Sequence, residues 1–263
     1  SIGITTTATK TSFTLWTKTV TVQAELRSFT KSNVTFADGS FFLVGDNTTG
    51  TTNDDGPNAL TGSIKSDTIF GLGGNDSIQS GAGDDYIDGG SGSDLIAGGD
   101  GADVITGNEG DDSIDSGSGN DLIEGNSGND LISGGDGSDE IYGMDGNDSI
   151  DGGSGDEALI AGNGLDTLFG GDGNDVLYSR SADMISGSDD GANSMDGGAG
   201  NDTVYGGNAA DTLHGGLGND ILAGNANDDY IYGDDGNDSI DGGSGDDALI
   251  AGNGLDTLFG GDG

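Results

Sequence analysis

The chain has 263 residues and carries 48 acidic against 6 basic side chains, a formal charge of −42. Such an excess argues against nucleic acid or an anionic membrane surface as a partner. The 57 glycines, with one proline and no Gly-X-Y period, exclude a collagen helix. The chain has no cysteine, hence no disulfide and no thiolate metal site, and no run of about 18 apolar residues that could span a membrane.

Residues 1–52 are Thr-rich and nearly neutral, with Lys10, Lys18, Arg27 and Lys31 against Glu25, Asp38 and Asp46. Alternating or β-branched runs predict strands at 4–9, 12–16, 19–24, 33–37 and 40–44, with the turn "ADGS" between the last two. This reads as a small β domain whose Phe13, Trp16, Phe36, Phe41 and Phe42 supply ordinary core. Residues 53–263 hold only Lys65 and Arg180 against all the other acids, a net of −43. Mutual repulsion keeps such a segment from folding by burial alone, so a cationic component absent from the sequence is expected.

From Gly71 a nine-residue register continues to the end, with 21 full units through Phe259. Units 53–61 and 62–70 are degenerate and read as a capping transition, with Leu60 and Ile69 still in phase. The eighth position is apolar in nearly every unit, from Ile78 through Ile96, Ile123 and Ile150 to Leu258. In a three-residue strand the middle side chain faces opposite to its neighbours, so one apolar residue per unit builds a thin continuous core when units stack. The sixth position is acidic: Asp76, Asp85, Asp94, Asp103, Asp112, Asp121, Asp130, Asp139, Asp148, Glu157, Asp166, Asp175, Asp202, Asp211, Asp220, Asp229, Asp238, Asp247 and Asp256. Stacked carboxylates at a fixed phase call for hard divalent cations with oxygen ligands, the turn carbonyls completing each set.

These units resemble the RTX nonapeptide G-G-x-G-x-D-x-U-x, a signature of calcium-binding parallel β-helices. The resemblance implies a right-handed parallel β-roll, all-β, with two units per turn and two facing sheets. It implies Ca²⁺ between loops one turn apart, held by turn carbonyls and paired aspartates such as Asp94 with Asp112 and Asp85 with Asp103. At one ion per neighbouring loop pair, about 18 ions would bring roughly +36. It also implies secretion of a bacterial, type I kind.

The pattern fails in content over 179–196, where Met184 and Asn193 take the Asp phase and Ser186 the apolar one. Either Arg180 replaces an ion at a local defect or a tolerant repeat has drifted; calcium sites here are in doubt either way. Residues 143–173 recur at 233–263 with only Met144/Asp234 and Glu157/Asp247 changed, an offset of 90 residues or five turns. That near-identity and the break in mid-unit suggest that the natural protein continues past Gly263, as the opening on Ser1 suggests processing or a longer parent. Tyr142, Ala158, Ile160, Val176 and Tyr178 are expected to face outward on one sheet, with Tyr230, Tyr232, Ala248 and Ile250 on that same sheet. They are either scattered surface residues or a lateral contact patch.

No catalytic set is legible: His214 is the sole histidine, which excludes an H-E-x-x-H centre. The Gly-x-Gly strings lack the lysine of a phosphate loop. The expected function is a calcium-dependent extracellular or cell-surface structural protein, such as a surface-layer, filament or matrix subunit. It would self-associate head to tail, with residues 1–52 as joint. The alternatives are the RTX tail of a larger secreted enzyme or toxin, and a stalk segment of an adhesin.

Overall fold

The computed structural model describes residues 56–179 and 191–263, together with strands at Gly3–Thr7, Lys10–Leu15, Lys18–Val22, Val34–Thr35 and Phe41–Val44. All regular structure among these is β. From residue 56 onward the chain winds as a parallel β-solenoid in which successive strands alternate between an 11-stranded and a 13-stranded sheet.

Most units contribute a six-residue strand, longer than the three residues expected, although Val176–Tyr178 and Tyr230–Tyr232 keep three. Leu95–Asp100 is representative: Ile96 and Gly98 are buried, and Leu95 and Asp100 are exposed. It pairs in parallel with Ser77–Ala82 on one side and Ser113–Ser118 on the other, Ile96 meeting Ile78 and Ile114. The strand therefore runs on through the two glycines that the sequence suggested were turn. Gly98 is needed because a Cβ there would lie 2.5 Å from the Ser116 carbonyl oxygen and 2.6 Å from Asp103 Oδ2. Its neighbour Gly99 sits at φ +112°, in the left-handed region that glycine adopts without steric cost.

The eighth-position residues form one continuous core from Leu60 and Ile69 to Ile240, with Leu249 packed against its far end. Leu43 joins its near end. Its strand, Phe41–Val44, pairs in parallel with Thr68–Phe70, so the ladder of the larger sheet begins inside the Thr-rich segment. Val34–Thr35 adds to it antiparallel. Gly3–Thr7, Lys10–Leu15 and Lys18–Val22 form a separate three-stranded antiparallel sheet. These strands match the expected ones in place; Phe13, Trp16, Phe36, Phe41 and Phe42 have side chains outside the described residues.

From Ala59 onward strand partners are 18 residues apart except at one step. Thr167–Asp172 pairs with Ser194–Ala199, and Val176–Tyr178 with Thr203–Gly207, each 27 residues on. One nine-residue unit is thus left out of the ladder, and the expectation of an unbroken two-units-per-turn winding is corrected here. Arg180, Met184 and Ser186 fall at this step, outside the described residues. Every later unit changes sheet. Tyr142 and Ile160 lie on the 13-stranded sheet, whereas Tyr232 and Ile250 lie on the 11-stranded one. Corresponding strands of the two copies of the duplicated block therefore lie on opposite sheets, not on the same sheet as the count of 90 implied.

Candidate cation-binding columns

The sixth-position side chains form two columns, one along each edge of the roll. Each follows a glycine-rich turn and precedes a strand, so its backbone is fixed by the ladder on the next turn. From Asp85 to Asp238 the acidic members are buried, and so is Asp76; Asp247 and Asp256, at the end of the described roll, are half-buried. The geometry is the same at nearly every level. The N–H of Asp94 donates to Asp112 Oδ1 at 2.7 Å, that of Asp112 to Asp130 at 2.8 Å and that of Asp130 to Asp148 at 2.9 Å. On the other edge Asp85 donates to Asp103 at 2.8 Å, Asp103 to Asp121 at 2.7 Å and Asp121 to Asp139 at 2.9 Å. Beyond the 27-residue step the chain Asp175, Asp202, Asp220, Asp238, Asp256 continues this edge. Asp76, Asp166, Asp211, Asp229 and Asp247 keep the pattern on the first edge. The expected pairs Asp94–Asp112 and Asp85–Asp103 are therefore neighbours. The expected adjacency came from the family resemblance; the hydrogen bond that makes it had no sequence signal.

One oxygen of each carboxylate is spent on this bond. The other points inward: Oδ2 of Asp94, Asp103, Asp112, Asp121, Asp130, Asp139, Asp148, Asp202, Asp220, Asp229 and Asp238 is buried with no hydrogen-bond partner. A glycine lies against it. A Cβ on Gly197 or Gly215 would come within 2.6 Å of Asp202 or Asp220 Oδ2 respectively. Burial pushes Asp103, Asp112, Asp148 and Asp202 up to about 7, and Asp139, Asp220 and Asp229 to about 6. The neighbouring N–H pulls each value down, and carboxylates one turn above or below push it up again. Buried acceptors in single file, each missing one partner, are the environment a hard cation relieves. Among the described residues no three acidic or imidazole side chains converge on one point. A cation here must therefore draw on backbone carbonyls as well as on two carboxylates.

Two members depart from the pattern. Glu157 is buried, and its carboxyl, one methylene longer, lies against that of Asp175. Its own N–H donates to Asp175 Oδ1 at 2.9 Å. Burial, then the charge of Asp175, raises it to about 9. At Asn193 an amide replaces the carboxylate.

The ninth-position side chains lie outside the columns. Tyr142, Ile160, Tyr178 and Tyr205 stand side by side on successive strands, with the Tyr178 and Tyr205 rings stacked 5.1 Å apart. Ile160, expected to face solvent, is only 7% exposed because it is enclosed in this row. Val176 and Tyr178 are half-buried. His214 Nδ1 lies 2.9 Å from Asp234 Oδ2, and its ring stacks on Tyr232 at 4.4 Å. No helix among the described residues is long and apolar enough to cross a membrane.

The model of the RTX calcium-binding nonapeptide repeat (4 copies) matches residues 61–96, 88–123, 124–156, 151–183, 187–222, 214–249 and 241–263. No curated protein matches the chain. Among solved structures, the chain is similar to a hyperactive, Ca²⁺-dependent, β-helical antifreeze protein from an Antarctic bacterium. The identity is 18%, over 81% of this chain and 84% of that one, with a TM-score of 0.39.

Proposed function

Because the chain belongs to the RTX calcium-binding nonapeptide repeat family, we propose that it is an extracellular structural protein whose acidic roll folds on Ca²⁺ and then self-associates. One observation carries the reading: two files of buried carboxylates, in which the inward oxygens of Asp94, Asp103, Asp112, Asp121, Asp130 and Asp139 among others lack a hydrogen-bond partner, flank a solenoid core one apolar side chain thick. Bound calcium would supply positive charge and oxygen coordination to these groups. The residues that would hold it are Asp76, Asp85, Asp94, Asp103, Asp112, Asp121, Asp130, Asp139, Asp148, Glu157, Asp166, Asp175, Asp202, Asp211, Asp220, Asp229, Asp238, Asp247 and Asp256, with the turn carbonyls beside them.

Extracellular calcium is abundant enough for modules with dissociation constants of about 10⁻⁴–10⁻³ M. A chain that stays unfolded at low calcium suits export through a narrow channel. In this proposal the Thr-rich residues 1–52 form the assembly module, and the tyrosine row offers lateral contact. Nothing in the proposal requires catalysis.

Since binding free energy is then folding free energy, far-UV circular dichroism in chelator should show a largely unfolded roll. Millimolar Ca²⁺ should restore the β signal. Full β content in chelator at neutral pH would sink the proposal.

A further inference from the structure

We infer that Asn193 breaks the cation column of its edge, so that no calcium is held across the steps Asp166 to Asn193 and Asn193 to Asp211. The inference rests on the calcium reading of the columns given above.

Asn193 occupies its level in the posture of an aspartate. It is buried, its Oδ1 accepts the N–H of Asp166 at 2.8 Å, and its own N–H donates to Asp211 Oδ1 at 2.7 Å. The difference lies in the second atom. Where the aspartates turn Oδ2 inward, Asn193 turns Nδ2 inward, and this nitrogen is buried without an acceptor. An amide nitrogen is a donor only, so it offers a hard cation no lone pair and presents hydrogens to it instead.

Rotating the amide does not rescue the site. The oxygen would then face inward, but the NH₂ group would meet the N–H of Asp166, donor against donor. The hydrogen-bond network therefore fixes the orientation that excludes the ion. Glu157 makes a useful contrast: it also departs from aspartate, yet both atoms at the end of its side chain are oxygens, which are ligand types for a hard cation.

The gap falls at the one level where strand pairing steps by 27 residues, in the turn entering Ser194–Ala199. There the roll is tied by hydrogen bonds on one edge, while the other edge keeps its carboxylates through Asp175 and Asp202. Removing a negative charge from the column at this level also lessens the repulsion that an ion would otherwise have to neutralise.

The test counts ions bound to the full chain at saturating Ca²⁺, by equilibrium dialysis with metal analysis or by native mass spectrometry. Asn193→Asp should bind up to two more ions than the natural chain. Asp112→Asn, which places the same amide at an ordinary level, should bind up to two fewer. An unchanged count in folded Asn193→Asp overturns the inference. Should Asn193→Asp fail to fold, Asp112→Asn decides: an undiminished count overturns the inference, and a reduced one supports it. A natural chain that binds no calcium at all would sink the proposed function, and this inference with it. A natural chain that binds calcium while both variants match it would sink this inference alone.

Discussion

At the scale of the residue, the fold depends on glycine and aspartate doing complementary work in one place. Gly98 has no room for a methyl group, since a Cβ would press on Ser116 O and on the very Asp103 oxygen that lacks a partner. Gly260 has the same first position in its unit but nothing within 4 Å. Gly98→Ala should therefore raise the calcium midpoint of folding, by an amount equivalent to about 1–3 kcal/mol, while Gly260→Ala should leave it within about 0.5 kcal/mol. Calcium titrations followed by circular dichroism compare the two directly; equal midpoints would contradict the packing described. The aspartates make a second prediction. Burial raises Asp112, Asp148 and Asp202 to about 7 in the calcium-free roll, above the roughly 3.9 of an unfolded chain. The folded form thus binds more protons between those values. The stability this contributes is fully present below about pH 4 and is lost as pH rises through about 7. In chelator, acidification from pH 8 to 5 should accordingly increase β content, with protons partly replacing the metal. A flat signal over that range would refute it.

At the scale of the element, a solenoid of thin turns spreads its core over many equivalent contacts. Ile123 is fully buried between Ile105 and Ile141 in the ladder. Ile123→Ala should cost about 2–5 kcal/mol, read as a higher calcium requirement for folding. The 27-residue step makes a sharper prediction. Deleting residues 181–189 leaves Ser179-Arg180-Asp190-Gly191-Ala192-Asn193 before Ser194, a turn of ordinary unit length that keeps a glycine at the fourth position. That deletion should preserve every later strand pairing, seen as an unchanged β signal and unchanged protection of amide hydrogens after residue 194. Deleting 107–115, nine residues that belong to the ladder, should instead send every later strand to the other sheet and alter calcium binding in the turns that flank the cut.

Much of this was legible in the sequence, for a physical reason. A period of nine with one apolar and one acidic phase admits few structures, and Ile78, Ile96 and Ile114 alone indicate stacking with the apolar residue inward. What stayed hidden was whatever leaves the period intact. An inserted unit of nine residues does not disturb a count in nines, so the change of sheet after Tyr178 could not be seen. The six-residue strands were hidden because Gly98 and Gly99 read as turn residues until the close approach of Ser116 O and Gly81 O shows why no side chain fits. The burial of Ile160 depended on which side chains stand beside it, and the inward amide of Asn193 on which of its atoms takes the N–H of Asp166.

For the whole molecule, the two halves of the proposal, calcium-dependent folding and assembly, are tested separately. Deleting residues 1–52 should leave the calcium response of the roll largely intact, at the cost of the capping strand Phe41–Val44. The same deletion should abolish ordered assemblies in calcium seen by electron microscopy; their persistence would show that the Thr-rich segment is not the joint.

The change of sheet also fixes how the molecule presents itself. A block of 31 residues is written twice almost letter for letter, at 143–173 and 233–263, and an even number of units between copies would have aimed both the same way. With one unit left out of the ladder, the copies look in opposite directions. Nearly the same lettering thus stands around Ile160 on one flank and around Ile250 on the other, without any two-fold symmetry of the chain itself.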